Sequence, residues 1–171
     1  MRPLALLDTS VLILLLSEKF DDSPEERETD RRRMAVRDVI ADTQKTFQIV
    51  IPSVVVAELG RDSSAERELQ ILVSSLGRFR ILPLTRLAGI TASKIARIAL
   101  KSRTRGAERG AVKYDALITG TAIAYAAEQI ITENRRDYEK HLASVGAAIE
   151  IVMPSQPPAT GQVKIFQKRS P

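Results

Sequence analysis

The chain has 171 residues, 44% of them hydrophobic, enough to bury a sizeable core and within the ordinary length of one domain. It holds no cysteine, which excludes a disulfide framework, a thiolate metal site and a cysteine nucleophile, and its single histidine leaves little room for histidine-based chemistry. Lys and Arg total 26 against 21 Asp and Glu, a net charge of +5 that favours polyanions such as nucleic acid.

The first predicted strand, residues 4–7, runs into "DTSVLILLL". This apolar run could pass for a signal peptide, but Asp8 interrupts it, no small-residue cleavage site follows, and it falls short of the ~20 residues of a membrane span. No membrane association is expected. Asp8, Thr9 and Ser10 place three polar side chains between a buried strand and an apolar helix, where they either cap that helix or do chemistry. Residues 21–33, "DDSPEERETDRRR", read as an exposed loop leading into a helix at about residues 34–46. After a second strand over 48–51, Pro52-Ser53 opens a helix through "VVVAELG" that carries Glu58 and stops at Gly60.

A third strand over 79–82 precedes a long helix over 85–101 that begins at Thr85. Lys94, Arg97 and Lys101 share one face of it, and Arg103, Arg105, Arg109 and Lys113 carry the basic run up to Asp115. That run is either a solvated cationic face or a track for a nucleic-acid backbone. Asp115 opens or enters the helix "ALITGTAIAYAAE", whose small residues Ala116, Gly120, Ala124 and Ala127 permit close approach to a neighbour, to the sheet or to a second copy. A fourth strand over 129–132 is followed by Asn134 and Asp137, whose N-x-x-D spacing is also that of a capping box. His141 reads as a solvated helix residue. The last strand, 149–153, closes a domain over 1–153, and residues 154–171 form an extended tail.

Strands apolar on both faces, separated by helix-length segments, predict an α/β fold with a parallel sheet covered on two sides. Ligands of such sheets gather at the carboxyl ends of the strands. Asp8, Glu58 and Asp137 follow the first, second and fourth strands, and Asp115 comes from the helix feeding the fourth. If they meet in one crevice, their repulsion calls for protonation or a bound cation, and an all-oxygen set without His or Cys favours Mg²⁺ or Mn²⁺. One such ion, or a pair, would polarise a phosphoryl group, activate water and stabilise the leaving oxygen, so phosphodiester hydrolysis is the expected chemistry. Taken singly, each acid has a plainer reading: helix caps for Asp8 and Asp115, a helix-dipole partner for Glu58, a capping-box member for Asp137.

Four segments together, "LLDTSVLI" at 6–13, "IPSVVVAELG" at 51–60, "YDALITGTAIA" at 114–124 and "IITENRRDY" at 130–138, resemble the PIN-domain nucleases, most of all the VapC-type toxins of toxin-antitoxin pairs. The resemblance spans residues 3–153. It implies a three-layer α/β/α fold around a mainly parallel sheet of about five strands. It also implies a Mg²⁺- or Mn²⁺-dependent endoribonuclease that works as a homodimer in the cytoplasm beside a cognate antitoxin. Carried over by motif, Asp8, Glu58, Asp115 and Asp137 look like the catalytic, metal-holding acids, and Thr9, Ser10, Thr132 and Asn134 like their polar supports. Lys94, Arg97, Lys101, Arg105 and Lys113 are the candidate RNA contacts.

The competing readings are a housekeeping RNA-maturation nuclease and a non-catalytic PIN-like module that binds RNA or protein. A haloacid-dehalogenase-like phosphatase would need a second Asp where Ser10 stands, and neither a dinucleotide-binding glycine turn nor a phosphate loop occurs. With 4% aromatic residues, no base-stacking motif is visible.

Overall fold

The computed structural model describes residues 2–16, 23–61, 74, 77, 79–101 and 109–155. Strands β1 (Leu4–Leu7), β2 (Gln48–Pro52), β3 (Arg80–Leu82), β4 (Gln129–Ile131) and β5 (Glu150–Val152) form one sheet in the order β3-β2-β1-β4-β5, every pair parallel. Around it lie α1 (Thr9–Leu16), α2 (Pro24–Thr46), α3 (Ser53–Arg61), α4 (Arg86–Lys101), α5 (Arg109–Ala124) and α6 (Arg135–Val145). α1 packs on α2 and α3, while α4, α5 and α6 pack on one another, which makes the three-layer α/β/α arrangement. No helix among the described residues is long and apolar enough to cross a membrane.

β1 occupies the centre because it can: Ala5, Leu6 and Leu7 are wholly buried, and an all-apolar strand suits a position covered on both faces. From β1 the chain moves outward on one side to β2 and β3, then returns across the sheet to β4 and β5. The order therefore reverses between β1 and β4, and their carboxyl ends border the crevice where ligands of open α/β sheets bind. The backbone N–H of Asp8 donates to Ile131 O at 3.0 Å, which ties the two ends together there.

Residues 24–33 are helical, where the sequence reading placed a loop. Ser23 caps the helix by accepting from the Glu26 N–H at 3.2 Å, Pro24 sits in the first turn, and Glu25 and Glu26 face the positive end of the helix dipole. Arg33 is buried, held by Glu26 and by Asp30 at 2.9 Å, and with Val36 and Ile40 it makes the inward stripe. Local charge pairing thus supports a helix where high polarity suggested a loop. At 23 residues α2 is about 34 Å long, twice the reach of the strand it precedes. Its first turns approach the segment after β4, and Arg32 pairs with Glu133 there at 3.5 Å.

The small-residue stripe of α5 serves internal packing. Ala116, Ile118, Thr119, Gly120, Thr121 and Ala122 are all buried, which removes them as a self-association surface. A Cβ on Gly120 would lie 2.5 Å from the carbonyl oxygen of Ala88 and 3.0 Å from the N of Ala92, so α4 and α5 touch backbone to backbone. Further along, Ala116 packs with Ala92 and Ile95, so the two helices run antiparallel. Gly60 lies inside α3 instead of ending it, and residues 156–171 fall outside the described residues. Replacing Gly120 by Ala forces those helices apart and is expected to lower unfolding free energy by about 1–3 kcal/mol, read from the denaturant midpoint at unchanged slope.

Candidate active site

The crevice between β1 and β4 is built around Asp8. This residue directly follows β1 and is 4% exposed, and a buried carboxylate is tolerable only with donors around it. It has three. Ser10 Oγ and Thr132 Oγ1 each donate to Asp8 Oδ2 at 2.7 Å, and Tyr138 Oη donates to Oδ1 at 2.8 Å. The donors come from α1, from the end of β4 and from α6, so one side chain joins three elements. The carboxylate takes hydroxyl protons and not the amides of α1, which sets aside the capping alternative.

The other acids stand around this floor, each half-buried. Glu58, on α3, accepts a hydrogen bond from Thr9 Oγ1. Asp115 lies inside α5, well past its start at Arg109, so it is not a cap. α5 runs toward the amino end of β4, which leaves its first half, with Asp115, at the carboxyl edge of the sheet. α3 and α5 touch, which brings the segments bearing Glu58 and Asp115 together. Asp137 lies in the first turn of α6.

Asn134 links two of these acids. It occupies the cap position of α6, but its side chain makes no capping hydrogen bond. Its amide Nδ2 instead donates to Asp137 Oδ2 at 3.2 Å and to Asp115 Oδ2 at 3.4 Å. Two like charges are thereby held within two hydrogen-bond lengths of each other. The Asn134 backbone N–H donates to Thr132 Oγ1 at 2.9 Å, which orients the hydroxyl that serves Asp8.

Tyr138 was not singled out from the sequence. It is fully buried, its ring packs edge-on to His141 with centroids 6.4 Å apart, and its hydroxyl reaches the floor carboxylate. Burial, followed by the negative charges of Asp8, Asp115 and Glu58, holds its hydroxyl proton well above the usual tyrosine range. Of these carboxylates, Asp8 is the one the phenol touches. Its only mark in the sequence is its place at the end of "ENRRDY"; nothing there says that the ring turns inward. His141, expected in solvent, is 5% exposed and lines the same helix face as Tyr138.

Glu133, the next residue after Thr132, gains a role as well. Its N–H donates to Ser10 Oγ at 3.1 Å, and its carboxylate pairs with Arg32 and accepts from the N–H of Ser155 at 3.2 Å. It pins α2 and the last described residue to the rim of the crevice. With Asn134, Arg135, Arg136, Glu139 and Met153 it lines a shallow depression of about 300 Å³.

Hydrogen bonds through Asn134 link Asp115 and Asp137, while Asp8 and Glu58 are held by the neighbouring hydroxyls of Ser10 and Thr9. Among the described residues no three acidic or histidine side chains are drawn together closely enough to hold an ion as they stand. Hydroxyl and amide donors are interleaved between them, which separates like charges. The donor chemistry nevertheless suits a hard divalent cation: the four acids present oxygens alone. Among the described partners of Asp8, two hydroxyls share Oδ2 and one reaches Oδ1, which leaves lone-pair capacity on Oδ1.

Of the basic candidates, Lys94, Arg97 and Lys113 are exposed, while Arg105 and the side chain of Lys101 fall outside the described residues. Because α4 and α5 are antiparallel, the second half of α4, with Lys94 and Arg97, lies beside the first half of α5, with Lys113 and Asp115.

The PIN domain family model matches residues 5–141. The chain belongs to the PIN domain family. Solved structures with the same fold include a DNA-bound VapBC from Salmonella typhimurium, 24% identical over 88% of this chain and 98% of that one, with a TM-score of 0.57. VapBC-1 from nontypeable Haemophilus influenzae is 15% identical over 90% and 99% of the two chains, with a TM-score of 0.61. FitAcB from Neisseria gonorrhoeae is 20% identical over 90% and 99%, with a TM-score of 0.56. No curated protein sequence matches the chain.

The raised Tyr138 has a consequence for this PIN domain's stability. The folded state keeps its phenol proton where the unfolded chain releases it, so stability is complete below the ordinary tyrosine value of about 10 and falls as pH rises beyond it. Thermal unfolding followed from pH 8 upward is expected to show that loss, and Tyr138→Phe to flatten it.

Proposed function

We propose that this PIN domain is a divalent-metal-dependent endoribonuclease and the toxin of a toxin-antitoxin pair. The observation that supports the reading is a chain of hydrogen bonds at the strand-order reversal: Asn134 joins Asp115 to Asp137, and Tyr138, next to Asp137, reaches Asp8. PIN domain nucleases generally use divalent metals, and Mg²⁺ or Mn²⁺ held by these acids would supply Lewis acidity to a phosphodiester.

The chain's own residues do the rest. Ser10, Thr132 and Tyr138 hold Asp8 at a fixed orientation, and Thr9 does the same for Glu58. Asn134 keeps Asp115 and Asp137 side by side despite their like charge. The opening beside Asn134 is shallow and has Arg135 and Arg136 in its lining, suited to a backbone phosphate and not to an enclosed small molecule. Lys94, Arg97 and Lys113 would bind flanking phosphates through charge alone, consistent with the net +5 and with the scarcity of aromatic residues for base stacking.

A solved structure of this fold from Klebsiella pneumoniae is a toxin-antitoxin complex, which supports an antitoxin as partner. Homodimer formation is supported by exposed Ile81 and Leu84, at and just after edge strand β3, and by Leu87 and Ile90 at the start of α4. Apolar side chains next to a sheet edge favour burial against a second chain.

Asp115→Asn is expected to abolish Mn²⁺-dependent RNA cleavage, leave the melting temperature within a few degrees, and relieve growth arrest on expression; cleavage at the parental rate by this variant would refute the assignment. Arg97→Glu combined with Lys113→Glu is expected to weaken RNA binding and to reduce the slope of log affinity against log salt by about one for each phosphate no longer neutralised. Filter binding across a salt series reads that slope directly.

A further inference from the structure

We propose that Tyr138 is a positioning residue that sets Asp8 for metal binding, an inference that rests on the metal-site reading above. Asp8 Oδ2 already takes two hydroxyls, from Ser10 and Thr132. Oδ1 takes Tyr138 alone among the described residues, so the phenol governs the rotation of the oxygen with capacity to spare. The ring cannot drift, because it is fully buried and set edge-on against His141.

The same helix carries one more of the acids and, at its cap, the amide that reaches a third. Asp137 precedes Tyr138 directly, and Asn134, one turn earlier, holds both Asp137 and Asp115. The bond from Tyr138 to Asp8 is therefore the link in α6 that registers two of the acids against the one at the end of β1. A tyrosine serving only as core filler would lose nothing on conversion to phenylalanine except its hydroxyl. A tyrosine that orients a ligand should lose metal affinity, as partners of metal ligands commonly cost 10- to 100-fold when removed.

The test is titration calorimetry of Mn²⁺ into chelator-stripped wild type and Tyr138→Phe, with melting curves in chelator and RNA cleavage across a Mn²⁺ series. The expected result is at least tenfold weaker Mn²⁺ binding, cleavage that recovers toward the wild-type kcat at saturating Mn²⁺, and a single cooperative metal-free transition, lowered by the loss of one hydrogen bond, that shows the variant folded. Equal Mn²⁺ affinity in the two proteins overturns the inference while leaving the metal-site reading intact. A wild type that takes up no Mn²⁺ overturns both. If the variant fails to fold, wild type containing fluorotyrosine decides the matter: its Tyr138 fluorine resonance, identified with Tyr114→Phe and Tyr125→Phe, is expected to shift as Mg²⁺ is added. A resonance that stays fixed to saturation counts against Tyr138.

Discussion

A carboxylate sealed at the carboxyl end of β1 sets the terms for everything around it. Asp8 lies where the central strand meets the reversal point of the sheet, and an unpartnered charge there would cost several kcal/mol. Three hydroxyl donors offset that cost, each hydrogen bond to a charged group contributing roughly 1.5–3 kcal/mol. Because those donors come from α1, β4 and α6, satisfying one buried charge also fastens the walls of the crevice. The polar triplet Asp8, Thr9, Ser10 ends the strand, starts the helix and supplies hydroxyls to two acids.

The acids differ in how they are held, and the differences follow from burial. Asp8, at the floor, has the most donors; Glu58, Asp115 and Asp137, nearer the rim, remain partly hydrated. Asn134 is placed where a capping side chain would normally face its own helix, yet it turns to two carboxylates instead. The helix still tolerates this, because water and the adjoining acid can serve its first amides. Local helix stability has in effect been exchanged for control of like charges.

Outside the crevice, the architecture brings opposite charge toward it by two routes. α2 is long enough to overhang the sheet and deliver Arg32 to Glu133, and it stays helical through that overhang because Glu26 and Asp30 satisfy buried Arg33. The antiparallel contact of α4 and α5, possible because Gly120 has no side chain, sets Lys94 and Arg97 beside the segment that carries Asp115. The packing of small residues and the arrangement of cations are thus consequences of one close approach.

The order of strands and helices, the all-parallel sheet and the elements on which the four acids ride could be read from residue pattern and motif, because apolar runs, helix starts and acids near strand ends are local signals. The charged first part of α2 misled because polarity was weighed above the cap Ser23-Pro24 and the charge pairs that follow, both of which lie in plain view along the chain. Other features were not local at all. That Tyr138 turns inward to Asp8, 130 positions away, and that Asn134 spans two carboxylates instead of capping α6, depends on where α6 docks against β1 and α5. The inward rotation of His141 depends on the same docking. Sequence by itself determined which residue types were available to make an acidic site and the elements on which they ride. Only the tertiary structure decided which hydroxyl or amide meets which carboxylate, because hydrogen bonds between distant segments are set by the packing of whole elements and leave no periodic trace in the chain.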